Sequence, residues 1–212
     1  MKNAMGKLLP LMWMISIPIS NIFYRILNNS SRGVYTLAMN IDEKIPFIKE
    51  FIIPYIIWYP FIFIALIYLC IKDRKVYYRT LISLNIGLII CYLIFYFFQT
   101  TVVRPRIEDV DIFTKLVSII YNHDRPYNCF PSVHVITTYT VMRGVNMVAR
   151  REIMLFSFNI IGILIILSTQ FVKQHVILDL IAAIILGEFI FGPVINIYYD
   201  ILALNMKKKM ES

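Results

Sequence analysis

The hydrophobic positions of this chain fall in six long runs that are separated by shorter polar segments. Each run holds about 20 residues with few charges, the length that an α-helix needs to cross a bilayer. The first run could instead be a signal peptide, but Ile19-Ser20-Asn21 is a poor cleavage site, so we expect an uncleaved helix. We therefore predict an all-α fold, an integral membrane bundle of six transmembrane helices. The runs cover about residues 8–26, 51–71, 80–102, 131–148, 153–171 and 175–198.

The composition excludes a soluble globular protein. Of 212 residues, 59% are hydrophobic and only 16% are charged, and the mean hydropathy is +0.70. Soluble domains carry about 25% charged residues. No repeat, low-complexity run or linker divides the chain, so we expect a single membrane-embedded domain over residues 1–212. Cys70, Cys91 and Cys129 lie in different segments and form no C-x-x-C pair, which indicates neither a disulfide framework nor a metal site.

Lysine and arginine in the short loops indicate the orientation of the bundle, because cytoplasmic loops are enriched in them. By helix parity these loops share one side, and the segments 27–50, 103–130 and 172–174 face the other. We therefore expect a multi-pass protein of the cell membrane with both termini cytoplasmic. The net charge of +8 reflects these loops and contact with anionic lipid, and no basic face for nucleic acid is present. The loop cations are Lys72, Arg74, Lys75, Arg79, Arg150, Arg151, Lys207, Lys208 and Lys209.

One outer segment, residues 109–121, shows helical periodicity. Phe113, Leu116, Val117 and Ile120 follow the i, i+3, i+4, i+7 pattern of an amphipathic helix. This pattern predicts a helix that lies in the membrane interface. Two interpretations stay open: the helix shapes access to a site, or it is a packed loop helix without such a role.

Three polar clusters stand at the ends of the predicted helices. An ionisable residue in a spanning helix costs about 2.5 to 3.5 kcal/mol, so each one is a functional candidate. Arg104-Pro105 ends helix 3, Pro131-Ser132-Val133-His134 begins helix 4, and residues 168–179 join helices 5 and 6. By parity all three clusters lie at the outer surface, so they can meet at one depth.

Two of the clusters suit the binding of a phosphate. Pro131 fits the first position of a helix, and the free amides near Ser132 and Val133 would be anion-binding donors at that helix N-terminus. Arg104 adds a permanent planar cation for phosphate oxygens.

The third cluster suits nucleophilic or acid–base chemistry. His175 and Asp179 lie four residues apart on one helix face, so the carboxylate can orient the imidazole as a nucleophile or base. A zinc site formed by these two residues and His134 is a less favoured alternative, because no fourth ligand or zinc motif is visible.

Arg143 and Glu188 place two more charges at similar depth. We favour a buried structural ion pair over a role in substrate binding. Glu188 lies nine residues from Asp179 and therefore on the opposite face of helix 6.

The clusters resemble the three motifs of the type 2 phosphatidic acid phosphatase (PAP2) superfamily, K-x6-R-P, P-S-G-H and S-R-x5-H-x3-D. The second appears as Pro131-Ser132-Val133-His134, the third as Ser168-Thr169-x5-His175-x3-Asp179, and Arg104-Pro105 matches the end of the first. The resemblance covers about residues 100–180. The run Asp42–Phe47, followed by Tyr55 and Trp58, and the run Lys173-Gln174-His175 look more like the branch that contains inositol phosphorylceramide synthases and their bacterial relatives.

Three positions depart from these motifs. Phe97 stands where the first motif has lysine, Thr169 where the third has arginine, and Val133 where the second has glycine. Two phosphate-binding cations are therefore missing. Lys173 is the candidate to replace one of them, and the further candidate phosphate ligands are Arg106, Arg125 and Thr169.

The resemblance implies metal-independent phosphoryl transfer without a cofactor. It implies that His175, oriented by Asp179, attacks phosphorus and forms a phosphohistidine. His134 would protonate the leaving oxygen and then activate water. The implied phosphate ligands are Arg104, Ser132, Val133, Ser168 and Lys173.

A site at the outer interface would let a lipid tail stay in the bilayer while its headgroup enters. We therefore expect a lipid phosphatase whose partners are a lipid phosphate substrate and membrane lipids, with no nucleic acid and no required protein partner. Phosphatidate, phosphatidylglycerophosphate and an isoprenyl diphosphate stay open as substrates. The alternative is a lipid phosphotransferase, in which an alcohol replaces water. A transporter is a remote alternative, for which inverted repeats and broken helices near the midplane would be expected.

Overall fold

A computed structural model describes residues 9–108 and 110–210, with side chains up to residue 197. The described part is mostly helical and has one pair of two-residue strands, so the all-α prediction is confirmed. The α-helices are α1 (Ser16–Leu27), α2 (Asn40–Lys44), α3 (Ile52–Ile56), α4 (Trp58–Lys72), α5 (Arg74–Phe97), α6 (Ile112–His123), α7 (Val133–Val148), α8 (Glu152–Phe171) and α9 (Ile177–Met210). Short 3-10 helices at Leu9–Ile15 and Lys49–Phe51 lead into α1 and α3, and strands β1 (Tyr35–Thr36) and β2 (Thr100–Thr101) pair in parallel.

All six predicted long helices have helical counterparts, although the first begins as a 3-10 helix and the second is interrupted at Ile57, between α3 and α4. The ends of the third and sixth helices differ most from the prediction. Helix 3, predicted over 80–102, is α5 and begins at Arg74, because the Asp73 carboxylate caps it by accepting from the N–H groups of Lys75 and Val76. It ends at Phe97, and the chain then extends into β2. Helix 6, predicted over 175–198, starts at Ile177 and continues to Met210. Leu8 of the first predicted run, Asp109 of the amphipathic segment, and the side chains of Lys207, Lys208 and Lys209 lie outside the described residues.

Five described helical segments are long and apolar enough to cross a bilayer, and they make the protein a membrane protein. The segments are Leu9–Leu27, Lys49–Lys72, Arg74–Phe97, Glu152–Phe171 and Ile177–Ile197. The predicted fourth helix, α7, has 16 residues and falls below that length.

Helix α7 forms the centre of the bundle, where it packs against α4, α5, α8 and α9. Its buried side chains include Val135, Ile136 and Val141 as well as several threonines. Gly144 allows the close approach to α4 and α5, because a side chain there would collide with Leu69 and Thr80. The N-terminal end of this central helix carries the second polar cluster.

The amphipathic helix predicted in the second outer segment is confirmed as α6. Asp111 caps it, with its carboxylate accepting from the N–H groups of Phe113 and Thr114. The apolar face packs inward, where Val117 is fully buried in a cluster with Ile52 and Tyr55. Helix α6 therefore packs over α3.

Arg143 and Glu188 form the predicted ion pair, with 3.0 Å between Nη2 and Oε1. The prediction that the pair is buried is wrong, because the two side chains are 40% and 48% exposed. Tyr139 lies one turn from Arg143 and its hydroxyl donates to Glu188 over 2.8 Å. The three residues follow the outer edge where α7 and α9 meet, which keeps them out of the core.

Candidate active site

The structure brings the two predicted histidines and the aspartate together at one end of the bundle. His134 lies in the first turn of α7, Asp179 lies in the first turn of α9, and His175 precedes α9 by two residues. The two imidazole rings are 5.7 Å apart between centroids. All three side chains are buried.

Two acceptors fix the imidazole of His175. Its Nδ1 lies 3.0 Å from the carbonyl oxygen of Cys129 and 3.2 Å from Oδ2 of Asp179. A carbonyl oxygen can only accept a hydrogen bond, so Nδ1 carries the hydrogen and a neutral ring keeps its lone pair on Nε2. The Asp179 carboxylate is itself held by the N–H of Val176 at 3.0 Å.

Helix α7 begins two residues later than predicted. The sequence predicts Pro131 at the first helical position, but the helix begins at Val133, and Pro131 precedes it and follows a cis peptide bond. Ser132 is the cap, because its hydroxyl accepts from the N–H of Val135 at 3.3 Å. The N–H of Ser132 donates to the carbonyl of Asp179, so this backbone bond joins the starts of α7 and α9. The first-turn amides of Val133 and His134 have no acceptor within the helix.

The sequence predicts that Arg104 ends helix 3, but α5 already stops at Phe97. It lies in the extended segment after β2, and its guanidinium stacks over Tyr121 at 4.6 Å. It donates to the carbonyl of Asp124 at 2.7 Å and to the amide oxygen of Gln174. Arg104 therefore places a cation beside the residue that precedes His175.

Three of the other predicted phosphate ligands are bonded to the backbone in this structure. The hydroxyls of Ser168 and Thr169 donate to carbonyls of their own helix at 2.6 and 2.7 Å. The ammonium of Lys173 donates to the carbonyls of Asp42 and Ile45 at 3.0 and 2.5 Å.

The remaining predicted cations lie toward the surface. Arg106 is exposed, and Arg125 is an exposed residue on the rim of a cavity beside His134. Phe97, at the lysine position of the first motif, is 78% exposed and lies on the outside of the bundle.

A cavity of about 750 Å³ opens beside His134. The His134 ring lies against Tyr55 and Trp58, with centroid distances of 4.7 and 4.2 Å. The indole N–H of Trp58 donates to the Thr137 hydroxyl at 3.0 Å, which fixes the ring. Aromatic packing therefore holds His134 at the floor of this cavity.

Asp124 lies in the wall of the same cavity, and sequence reasoning did not identify it. Its Oδ1 accepts from the Tyr24 hydroxyl at 2.9 Å and from the Asn28 amide at 2.8 Å. Burial raises the pKa of this carboxyl, and the bond from Tyr24 and the charge of Arg104 oppose that rise. Only its position in the polar outer segment could have suggested a role.

The donor atoms at the site fit a metal ion poorly. Atoms of Cys129, His175 and Asp179 lie within 4.8 Å of one another. Burial raises the pKa of the Cys129 thiol well above its usual value, whereas a metal would need the thiolate. The proposed zinc ligand His134 does not belong to this group, and Nδ1 of His175 is bound by a carbonyl.

Comparison with known proteins identifies the family. A family model described as the PAP2 superfamily matches residues 47–192, more than two thirds of the chain. The match includes all three polar clusters and the central helix α7. No curated protein and no solved structure shows significant similarity to the chain. The chain therefore belongs to the PAP2 superfamily, and it is a membrane enzyme of the phosphatase and phosphotransferase type.

Proposed function

We propose that this protein is a lipid phosphatase that hydrolyses a phosphomonoester or diphosphate through a phosphohistidine on His175. The observation that carries the proposal is the pair of acceptors on Nδ1 of His175, the Cys129 carbonyl and the Asp179 carboxylate. They leave Nε2 as the nucleophilic atom and stabilise the positive charge that the ring gains on attack.

In the first step, Nε2 of His175 attacks phosphorus. A P–N bond forms, and the bond from phosphorus to the lipid oxygen breaks with its electron pair on that oxygen. His134, in its protonated form, gives the oxygen a proton. The rings are 5.7 Å apart, close enough for both to reach one phosphoryl group. An acid placed in this way contributes about 100- to 10,000-fold to rate.

In the second step, His134 accepts a proton from water as the water oxygen attacks phosphorus. The P–N bond breaks, inorganic phosphate leaves, and the lone pair returns to Nε2 of His175. Asp179 keeps the ring in the same orientation through both steps. No metal or redox cofactor takes part in this sequence.

The phosphoryl oxygens would lie at the N-terminus of α7. The first-turn amides of Val133 and His134 supply donors there, and Arg104 supplies positive charge. Ser168 stays a predicted phosphate ligand, and it would exchange its backbone acceptor for a phosphate oxygen. Lys173, the other ligand predicted from the sequence, is bonded to the carbonyls of Asp42 and Ile45 instead. One donor of this kind is commonly worth about 100- to 1,000-fold in rate.

A lipid substrate fits the position of the cavity between α1 and α4. Its lining combines apolar side chains such as Ile26 and Ile56 with the polar groups of Asn21 and Arg25. A tail can stay in the bilayer while the phosphate reaches His134. We further propose that this side of the protein is extracytoplasmic.

The test is phosphate release from a panel of purified lipid phosphates, namely phosphatidate, phosphatidylglycerophosphate and an isoprenyl diphosphate. We expect release from at least one lipid, survival of the activity in EDTA and inhibition by vanadate. His175→Ala, with the elution volume of the wild type in size-exclusion chromatography, should show none. Full activity in that variant would exclude the assignment.

A second candidate function is transfer to an alcohol, and the polar wall of the cavity favours it. The cavity that reaches His134 is also lined by the hydrogen-bonding groups of Tyr24, Asn28 and Asp124. An alcohol could bind to these groups in place of water. A labelled alcohol such as inositol or glycerol separates the two reactions. A phosphatase releases inorganic phosphate with or without the alcohol, whereas a transferase moves the phosphoryl group onto the labelled alcohol and forms its water-soluble phosphate.

A further inference from the structure

A segment in the outer part of the chain, between α1 and α3, packs against the loop that contains His175. We call residues 39–48 the outer strap, and they include the short helix α2. We call residues 172–176 the nucleophile turn, because they connect α8 to α9 and contain His175. Polar contacts from the strap reach the nucleophile turn and both of the helices that it joins.

Lys173 makes the first contact. Its backbone has φ of 50°, a left-handed conformation that non-glycine residues rarely adopt. From this position its ammonium donates to the carbonyls of Asp42 and Ile45, at 3.0 and 2.5 Å. The cation two residues before His175 is therefore bonded to the strap.

Asp42 makes the second contact from the other direction. Its side chain is buried, and Oδ1 accepts from the N–H of Ile177, the first residue of α9, at 2.8 Å. Oδ2 accepts from the N–H of Met39, the residue before α2, at 2.8 Å, and this bond stabilises the start of α2. The Asp42 carboxylate thus bonds to the first residue of α9, the helix that carries Asp179, and to the backbone of the outer strap.

The end of α8 is held as well. The N–H of Ile48 donates to the carbonyl of Phe171 at 3.0 Å, and the Phe171 ring packs on Phe51 at 4.5 Å between centroids. Within the nucleophile turn, the N–H groups of Gln174 and His175 both donate to the carbonyl of Thr169. The turn is therefore held from below by α8 and from above by the strap.

We propose that Lys173 and Asp42 are positioning residues, which hold the nucleophile turn so that His175 and Asp179 meet in the reactive geometry. The proposal rests on the proposed function for the reaction itself. A displacement of about 1 Å at a reacting group can cost about 100-fold in rate, and removing either contact frees the turn on one side. It also gives Lys173 a task other than binding phosphate.

The test compares kcat and KM for phosphate release in four variants. Lys173→Met removes the donors and keeps an unbranched side chain, and Asp42→Ala removes both acceptors. We expect each to lower kcat by about 10- to 100-fold and to change KM by less than about 3-fold. Lys173→Arg keeps donors and should restore most of kcat, and Asp42→Asn should retain more activity than Asp42→Ala.

Two neighbouring residues on α2 supply matched controls. Lys44 and Glu43 are exposed, and Lys44→Met and Glu43→Ala should keep the wild-type kcat. If Lys173→Met matches Lys44→Met in kcat, the proposal is wrong. A rise of tenfold or more in KM with kcat preserved would instead make Lys173 a phosphate ligand, and it would also overturn the proposal. If Lys173→Met does not accumulate, Lys173→Gln replaces it, with the same results for and against.

Hydrogen exchange separates failure of this proposal from failure of the proposed function. Exchange of the amides over residues 172–179 should accelerate in Lys173→Met and Asp42→Ala and stay unchanged in the two controls. This readout needs no substrate. A wild type that releases phosphate from no lipid contradicts the proposed function, whereas exchange that is identical in all variants contradicts the positioning role.

Discussion

At the scale of single residues, the site depends on buried and partly buried polar groups whose partners come from distant parts of the chain. His175 is fixed by a carbonyl 46 positions earlier, and Asp124 is held by Tyr24 and Asn28, about 100 positions earlier. Such groups are costly to bury unless they are bonded. Each polar side chain at the site is therefore a place where one substitution has a measurable effect.

We predict that Asp124→Asn changes how stability depends on pH. Burial raises the folded-state pKa of Asp124, so the folded protein binds its proton more tightly than the unfolded chain does. Wild-type stability should therefore fall as pH rises from the ordinary carboxyl pKa, about 4, to the raised value. Asn keeps an acceptor for Tyr24 and Asn28 but does not ionise, so that decline should disappear in thermal unfolding in detergent.

The control for this prediction is Glu108→Gln, because Glu108 belongs to the same outer segment and is exposed. It should leave the pH profile of unfolding close to that of the wild type. If Asp124→Asn unfolds with the same pH profile as the wild type, burial of the Asp124 carboxyl does not govern the pH dependence.

At the scale of elements, sequence periodicity predicts the existence of helices better than their ends. The amphipathic pattern of 109–121 indicates α6, and six apolar runs indicate six long helices. The cap at Asp73 and the strand pair at Thr100 could not be anticipated, because capping and pairing depend on local geometry and on a partner 65 residues away. The exposure of Arg143 and Glu188 likewise depends on how α7 and α9 are rotated.

We predict that Glu188→Ala impairs folding or expression more than catalysis. Loss of this carboxylate leaves Arg143 without its ion pair in a helix that we predict to span the bilayer, where a single charge costs about 2.5 to 3.5 kcal/mol. The yield of folded protein should fall, while phosphate release per folded molecule should stay near the wild-type value. The double change Arg143→Met with Glu188→Leu should recover yield, because no unpaired charge remains. A well-expressed but inactive Glu188→Ala would show that the pair serves the reaction.

At the scale of the whole molecule, topology brings together clusters that are far apart in sequence. Helix parity predicts that the starts of α7 and α9 share one surface, and the backbone bond from Ser132 to Asp179 joins them directly. The motif residues could be predicted because side-chain identity carries their chemistry. The bond to the Cys129 carbonyl could not be predicted, because a backbone group leaves no signal in the residue type. The bonds from the outer strap could not be predicted either, because they join residues more than 120 positions apart in the sequence.

The predicted orientation can be measured with single introduced cysteines. Cys70, Cys91 and Cys129 are buried, so they should react slowly with an impermeant maleimide. Ser30→Cys, in an outer segment, should be labelled on intact cells, and Arg151→Cys should be labelled only after the cells are opened. The reverse pattern would place the site on the cytoplasmic side.

The central claim is that His175 becomes covalently phosphorylated, and trapping that intermediate tests it most directly. A lipid substrate labelled with ³²P in the transferred phosphate is mixed with the enzyme, and the reaction is quenched in alkali, which preserves phosphohistidine. We predict label on the peptide that contains His175 in the wild type and its loss in His175→Ala. Because His134 activates water in the second step, a His134→Ala variant that still forms the intermediate should retain the label longer. Label on any other residue, or full turnover in His175→Ala, would contradict the account.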